Sequence, residues 1–198
     1  MNNSNSKLLR ERFLNTLLEI ADQVKKNSDS IDTDQILKLI ELIIEIDSKD
    51  GRVFIYGAGR SGFIGRCFAQ RLMHLGIKSC FVSDAVTYRY SKEDLLILVS
   101  GSGETTSPKA IAEEAKVIGG KIALFTGNLK STIAKLSDLV IKVEGKSKEK
   151  AISQDSLAPF TSLFDISTLS ILDSIGASLM VLLEITENDI DKRHASIE

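Results

Sequence analysis

A short loop rich in serine, threonine and glycine runs from Ser100 to Thr105, between a buried apolar run and a helical pattern. Hydroxyl groups and glycine N–H groups at the start of a helix can surround a phosphate with donors, and the helix dipole adds to the attraction. Thr105 or Thr106 can also cap the helix without a ligand, but capping alone does not require the preceding Gly-Ser-Gly. The loop therefore predicts a phosphate site with Ser100, Ser102 and Thr105 as ligands.

A second glycine-rich loop, Gly57-Ala58-Gly59-Arg60-Ser61-Gly62, follows the first apolar run and leads into a helix. Its spacing is the G-x-G-x-x-G of dinucleotide sites, with Asp84 after the second run as a candidate ribose acid. Taken alone the motif is weak evidence, because glycine also serves wherever a backbone turns tightly. A dinucleotide-dependent oxidoreductase is thus one hypothesis, and a phosphate ligand at Ser61 is the other.

Five short apolar runs alternate with helical patterns from Arg52 onward and predict strands. They cover residues 53–56, 79–82, 95–99, 121–125 and 139–143. Apolar strands separated by helices are typical of a parallel sheet covered on both faces, which is a doubly wound α/β fold. In such sheets ligands bind beyond the carboxyl ends of the strands, where the strand order reverses. If the first and third strands are neighbours, the two glycine loops meet there.

Helical patterns flank the predicted sheet on both sides along the chain. Two helices precede the first strand, the second capped by Asp32 or Thr33, and we expect both to serve packing or oligomerisation. The polar, Lys-rich stretch 144–158 predicts a solvated loop, with a functional lid as the alternative. A long helix is predicted from about Pro159 to Glu184 and a short one over 186–192. The 198 residues predict one domain, with N-terminal helices in 1–50, the core in 51–145 and C-terminal helices in 159–198.

Composition and charge exclude several classes of protein. The net charge is -2 with acids and bases interspersed, which gives no basic field for nucleic acid and no polybasic membrane patch. The N-terminal residues lack the apolar core of a signal peptide, and no segment approaches the ~20 uninterrupted apolar residues of a membrane span. We expect a cytoplasmic protein whose partners are small molecules and sister subunits.

The cysteines and histidines offer little metal chemistry. Cys67 and Cys80 lie within apolar patterns and are predicted to be buried. The only histidines are His74 and His194, and with two cysteines they do not form a ligand cluster at any usual spacing. We expect no metal requirement.

The two loops and the helix between them resemble the SIS (sugar isomerase) domain family, and within it the isomerases of 3-hexulose 6-phosphate. The matching residues are Gly57 to Gly62, Phe68-Ala69-Gln70-Arg71-Leu72-Met73-His74-Leu75-Gly76 and Ser100 to Thr105. The C-terminal Arg193-His194-Ala195-Ser196-Ile197-Glu198 is similar to the way such enzymes end.

The resemblance implies a flavodoxin-like five-stranded parallel sheet, a homotetramer and no cofactor. It also implies interconversion of 3-hexulose 6-phosphate with fructose 6-phosphate, in which a carboxylate moves a proton between adjacent carbons through an enediolate. The phosphate ligands are then Ser61, Ser100, Ser102 and Thr105. Further substrate contacts are Gly59, Arg60, Asp84, Thr87 and Glu104, although Glu104 serves equally well as a first-turn carboxylate.

The implied base is a glutamate at the start of the long helix, in a segment resembling Pro-x-Gly-Ser/Thr-x-Phe-Glu. This chain reads Pro159-Phe160-Thr161-Ser162-Leu163-Phe164-Asp165, so the candidate base is Asp165 and Thr161 stands at the glycine position. Aspartate is one methylene shorter, and a base misplaced by ~1 Å can cost on the order of 10²-fold in rate. A second shortened acid, Asp84, stands where the pattern has Glu. The two together indicate a compensated pocket, a slightly different phosphosugar or reduced activity, and we favour the compensated pocket.

His194 completes the predicted site. It is either a solvated tail residue or an acid/base group in ring opening or the enediolate step, and related isomerases often take such a histidine from a neighbouring subunit. The leading hypothesis directs the sugar carbons toward Asp165 and His194. A phosphosugar-binding SIS module that needs no base, or an isomerase of a different phosphosugar, is the alternative.

Overall fold

The computed structural model of the chain describes residues 3–145 and 156–196. These residues contain a five-stranded sheet whose strands are all parallel, in the order β2-β1-β3-β4-β5. The strands are β1 Val53–Gly57, β2 Ser79–Phe81, β3 Leu95–Val99, β4 Lys121–Thr126 and β5 Leu139–Lys142. The location of all five strands confirms the doubly wound fold predicted from the apolar runs. Their order is the flavodoxin-like one that the resemblance implied.

The described residues form seven helices. They are α1 Asn3–Ser30, α2 Thr33–Ser48, α3 Arg60–His74, α4 Thr106–Ile118, α5 Thr132–Leu136, α6 Ser162–Leu182 and α7 Glu187–Arg193. Asp32 caps α2 as predicted, because its carboxylate accepts from the N–H groups of Asp34 and Gln35. The long helix α6 begins three residues after Pro159, later than the sequence pattern predicted.

The strand residues alternate between two apolar cores because successive side chains of a strand point to opposite faces. Val53 and Ile55 lie in the core that α2, α3 and α6 cover, and Phe54 lies in the core on the other face, beneath α4 and α5. Helices therefore cover both faces of the sheet, as predicted. Because all five strands run in the same direction, their carboxyl ends lie at one edge of the sheet, and the helices that follow the strands start at that edge.

The helix α6 is long and apolar enough to cross a membrane by length and composition alone. Its contacts identify it as a core helix instead. It packs against α1, α2 and α3, and it carries the fully buried Asp165 at its start. Its direction matches that of α3, since Ser61 contacts Asp165 near the first turns and Arg71 pairs with Asp173 farther along.

The helix α1 fixes the backbone at two places that lie on either side of residues 146–155. The carboxylate of Glu19 accepts from the backbone N–H groups of Leu157 and Ala158 at 2.8 and 2.7 Å. The buried side chain of Asn27 bonds both the N–H and the carbonyl oxygen of Glu144. The bonds of Glu19 hold the residues that lead into α6, and those of Asn27 hold Glu144, just after β5. The predicted Lys-rich loop has Lys146, Lys148 and Lys150 outside the described residues.

One burial prediction is wrong. Cys67 is exposed, and Cys80 is half-buried beside Thr87. The spacing of Cys67 in α3 is compatible with an apolar face, but Phe68 and Leu72 turn inward and leave Cys67 on the outer side of the helix. Periodicity locates a buried stripe only to within one or two positions.

Candidate active site

The two glycine loops lie side by side at the carboxyl edge of the sheet. The strands β1 and β3 are direct neighbours, and their last residues, Gly57 and Val99, are paired in register. The strand order reverses at β1, because the chain continues to β2 on one side and to β3 on the other. This confirms the condition on which the predicted site depended.

Three helices that start at this edge lack a side-chain cap. The N-cap residues of α3, α4 and α6 are Gly59, Thr105 and Thr161, and none accepts a hydrogen bond from the first turn. By contrast, α2, α5 and α7 are capped by Asp32, Ser131 and Thr186. Thr105 thus occupies the predicted N-cap position without making the cap bond. Uncapped N–H groups and the positive ends of helix dipoles favour an anion at this edge.

Three hydroxyl groups of the second loop converge. The Oγ1 atom of Thr105 lies 3.5 Å from Ser100 Oγ and 3.4 Å from Ser102 Oγ. Ser102 Oγ also accepts from the N–H of Glu104 at 3.2 Å, which shapes the turn. Ser100 is buried, whereas Ser102 and Thr105 are exposed. The structure therefore brings these three predicted phosphate ligands together.

Close contacts fix this loop on both sides. Gly103 has a φ of +64°, and a Cβ atom there would overlap the hydroxyl of Ser131 in the turn before α5. A Cβ on Gly101 would lie 3.2 Å from the ring of Phe164. The glycines are needed because α5 and α6 approach the loop so closely. The loop is consequently held next to Asp165.

Glu104 contacts a helix start in the described residues. Its Oε1 atom accepts from the N–H of Thr132 at 2.7 Å, at the beginning of α5. The backbone N–H and then the side chain of Thr132 lower the pKa of Glu104. This contact favours the structural interpretation of Glu104, as an anchor between the loop and α5.

Asp165 is fully buried where the first loop meets α6. Its Oδ1 accepts from the Ser61 hydroxyl at 2.8 Å, and its Oδ2 accepts from the Thr161 hydroxyl at 2.7 Å and from Arg60 Nε at 3.3 Å. Ser61 has a single hydroxyl proton, which this bond uses. The structure therefore joins the candidate base to the first loop.

Sequence reasoning missed the role of Thr161 in this cluster. The residue has a φ of +67°, and its hydroxyl faces the Asp165 carboxylate. The available signal was a threonine at a position where the resembling pattern has glycine, four residues before the candidate base. The sequence alone does not reveal that Thr161 and Asp165, the two residues that differ from the resembling pattern in this segment, contact each other.

The predicted contacts after β2 lie with other partners. Asp84 forms an ion pair with Arg66 of α3, and Arg66 also donates to Ser83 Oγ at 3.3 Å. Thr87 Oγ1 lies 3.8 Å from the sulfur of Cys80. These contacts direct both side chains toward α3 and β2, so the structure does not bring either of them to the serine loop.

His194 lies at the other end of α3 from Asp165. Its ring stacks on that of His74 with centroids 4.8 Å apart, and Arg193 donates to the carbonyl oxygen of His74 at 3.0 Å. Ser61 is at the start of the 15-residue α3 and His74 is its last residue, which is about 20 Å of helix at 1.5 Å per residue. Within a single chain, His194 therefore lies far from the candidate base Asp165.

Comparison with known proteins identifies the family of this chain. The family model of the SIS domain matches residues 45–173. The chain belongs to the SIS domain family.

Several relatives that match nearly the whole of this SIS chain bear the name of a sugar-phosphate isomerase. It is 37% identical to the 3-hexulose-6-phosphate isomerase of Methanocaldococcus jannaschii, covering 98% of this chain and 94% of the relative. It is 34% identical to the protein of the same name from Mycobacterium gastri, covering 97% and 94%. A structure of an Escherichia coli protein in complex with a sugar phosphate is 28% identical, with a TM-score of 0.80 and coverage of 98% and 100%.

Within residues 3–145 and 156–196 of this SIS domain, no group of three His, Cys, Asp or Glu side chains could hold a metal ion. Asp84, the ribose acid of the dinucleotide hypothesis, is engaged by Arg66. The expectation that the protein uses neither metal nor cofactor stays a prediction.

Proposed function

We propose that this SIS domain is a sugar-phosphate isomerase that interconverts 3-hexulose 6-phosphate and fructose 6-phosphate. The observation that carries the proposal is a fully buried carboxylate, Asp165, that joins the starts of α3 and α6, two helices without a side-chain cap. Relatives that bear the name of this activity align with nearly the whole chain. The related Escherichia coli structure with its bound sugar phosphate supports a phosphosugar as the ligand class.

The phosphate rests on the serine loop in this proposal. Ser100, Ser102 and Thr105 supply hydroxyl donors, and the first turns of α3 and α4 supply N–H groups and their positive dipole ends. Ser61 contributes its hydroxyl only when the bond to Asp165 opens, because one proton cannot serve two acceptors. Gly59 allows close approach, since nothing lies within 4 Å of a Cβ placed there.

The chemical step transfers one proton between neighbouring carbons. The Asp165 carboxylate takes the proton from the carbon beside the ketone. The electron pair of that C–H bond forms the C=C bond of the enediolate, and the π pair of the ketone moves onto the ketone oxygen. The proton then returns to the former ketone carbon, while the hydroxyl proton of the neighbouring carbon is transferred to the former ketone oxygen, so that the neighbouring carbon becomes the new ketone. General acid-base catalysis of this kind contributes about 10²- to 10⁴-fold, so positioning through the phosphate must supply a large share of the rest.

Arg60 couples the phosphate to the base in this scheme. Its side chain is 62% exposed while that of Asp165 is fully buried, so an anion at this edge meets the guanidinium first. A phosphate that attracts Arg60 and the Ser61 hydroxyl removes two of the three donors from Asp165. The carboxylate then has free lone pairs for the substrate proton.

A second copy of the chain completes the site, and we propose a homotetramer. Six apolar residues of α1 are each more than half exposed: Leu8, Leu9, Phe13, Leu14, Leu17 and Leu18. Apolar patches of this extent mark association surfaces. Because His194 lies far from Asp165 of its own chain, it acts in a neighbouring subunit. We further propose that residues 1–198 form one SIS domain in the cytoplasm.

One observation favours the alternative of a phosphosugar-binding module without catalysis. The Asp165 carboxylate accepts hydrogen bonds from three side-chain donors in this structure. A buried carboxylate with these hydrogen bonds formed is compatible with a purely structural role. A coupled assay separates the two functions: 3-hexulose 6-phosphate is offered, and fructose 6-phosphate is detected. The isomerase forms product, and protection from thermal unfolding by fructose 6-phosphate without product identifies the binding module. Protection by NAD instead supports the oxidoreductase hypothesis.

A further inference from the structure

Thr161 has an unusual backbone for its residue type. Its φ of +67° and ψ of -14° lie in the left-handed region, which a β-branched residue rarely adopts. Such conformations are strained and persist only where the surrounding structure requires them. A glycine would adopt the same conformation without that strain. Some contact of the threonine side chain is needed to explain why it stands here.

The direction of its hydrogen bond is also unusual. At the starts of α2, α5 and α7 the N-cap backbone is extended and the side chain accepts from first-turn N–H groups. Thr161 occupies the same position at the start of α6 and makes no such bond. Its hydroxyl instead donates to Oδ2 of Asp165 at 2.7 Å. The left-handed backbone thus turns the hydroxyl from the helix start toward the carboxylate.

Two hydrogen bonds then tie the same pair of residues. The carbonyl oxygen of Thr161 accepts from the N–H of Asp165 at 2.9 Å, which begins the helix. The hydroxyl holds Oδ2 of the carboxylate, while Ser61 holds the other oxygen, Oδ1. With backbone and side chain both fixed, the carboxylate has little rotational freedom. This is the preorganisation that a shortened catalytic side chain needs.

We propose that Thr161 is a positioning residue of the isomerase, whose hydroxyl sets the orientation of the Asp165 carboxylate for proton transfer. This inference rests on the proposed function, because it assigns Thr161 a part in that reaction. Thr161 keeps its bond to Oδ2 when a phosphate draws Arg60 and Ser61 away. The strained backbone is retained for this contact.

A substitution series separates the hydroxyl from the backbone. Thr161→Ser keeps the hydroxyl, Thr161→Ala removes it and keeps the strained backbone, and Thr161→Gly removes it and relaxes the backbone. We expect the Ser variant to stay within about threefold of the parent in kcat, and the Ala and Gly variants to lose about tenfold to a hundredfold. KM changes little, because Thr161 makes no phosphate contact in the proposed mechanism.

A matched control tests the effect of backbone relaxation alone. Glu184, at the other end of α6, is exposed and has a φ of +53°. Glu184→Gly removes a left-handed non-glycine residue without touching the site. We expect thermal stability equal to or above that of the parent and an unchanged kcat.

The split between kcat and KM, together with rescue by serine, supplies a readout that a purely structural role would not move. The Ala and Gly variants should lose kcat at nearly constant KM, whereas the Ser variant and Glu184→Gly should keep both values close to those of the parent. Equal kcat values for the Ser, Ala and Gly variants, with an active parent, would overturn the proposal. An inactive parent would instead refute the proposed function.

A double variant tests the pair through recovery of activity. The Thr161 hydroxyl already contacts Oδ2 at 2.7 Å, so we expect it to obstruct a carboxylate that is one methylene longer. Asp165→Glu alone should therefore reduce kcat, and Thr161→Gly combined with Asp165→Glu should recover at least about tenfold over that single variant. Losses that simply add in the double variant would contradict the proposal.

Discussion

The hydroxyl of Ser61 donates to Oδ1 of Asp165 at 2.8 Å, across 104 positions of the sequence. This bond joins the start of α3 to the start of α6, and so connects a predicted phosphate ligand directly to the predicted base. Phosphate binding and proton transfer therefore share one hydrogen-bond network in the proposed mechanism. Changes to that network, or to the contacts that hold it, should alter activity and stability in distinct ways.

Replacing Asp165 by Asn should lower kcat by at least about 10²-fold, because the amide cannot take the proton. It should also lower the melting temperature, since the amide NH₂ would face hydroxyl and guanidinium donors in a buried site. The coupled assay and thermal unfolding measure the two effects. Asp173→Asn, farther along α6 and half exposed, is the control and should keep kcat. Full activity of the Asp165 variant would remove this residue from the role of base.

The two left-handed glycines at the site should respond differently to substitution by alanine. Gly103→Ala should reduce the free energy of unfolding by about 1–3 kcal/mol from overlap, added to the backbone cost, because its Cβ meets the Ser131 hydroxyl. Gly59→Ala has open space around its Cβ, so only the cost of its backbone conformation, with φ of 57° and ψ of -129°, applies. Such conformations cost a non-glycine residue about 1–3 kcal/mol. Urea unfolding measures both, and a larger loss for Gly59→Ala would contradict the packing described for the serine loop.

Glu104 should stabilise the fold in a pH-dependent manner. The N–H and then the side chain of Thr132 lower its pKa from the ordinary 4.5. A lowered pKa in the folded state means that the contribution is fully present above pH 4.5 and is lost as the pH falls through the folded value. The parent should thus exceed Glu104→Gln in urea resistance at pH 7, and the difference should shrink at acid pH. Glu113→Gln, at an exposed position of α4, is the matched control. A difference that grows toward acid pH would refute this assignment.

A site shared between subunits predicts complementation. Asp165→Asn and His194→Ala should each be nearly inactive, and co-expressed chains should regain activity, since some sites combine the intact Asp165 of one chain with the intact His194 of another. Random pairing gives about a quarter of the parent activity in a symmetric oligomer. Co-purification through two different tags isolates the mixed assemblies. Activity that stays at the level of the single variants would place both residues in one chain or exclude His194.

The apolar face of α1 should govern assembly. Leu17→Glu places a charge among the exposed apolar residues Phe13, Leu14 and Leu18, so we expect a smaller oligomer by light scattering and a matching loss of kcat. Glu11→Gln, on the same helix and exposed, is the control for substitution in α1. An unchanged oligomer would show that the association surface lies elsewhere.

The amino-acid sequence by itself determined the sheet and the location of the phosphate loop. Five apolar runs, such as 95–99, are typical of strands covered on both faces, and local patterns of this kind do not depend on distant contacts. The capping of α2 by Asp32 could also be predicted from the sequence, because an N-cap bond joins residues two or three positions apart. The convergence of Ser100, Ser102 and Thr105 followed for the same reason.

Only the tertiary structure decided how the catalytic candidates are arranged. The sequence separates Ser61 from Asp165 by 104 positions, and their bond depends on α3 and α6 running side by side. It also offered His194 as a partner of Asp165, whereas the fold stacks His194 on His74 at the other end of α3. Left-handed backbone at Thr161 is set by the packing around Asp165 and not by the preference of threonine. Contacts between distant segments carry no periodic signal, so these relationships become visible only when the chain is folded.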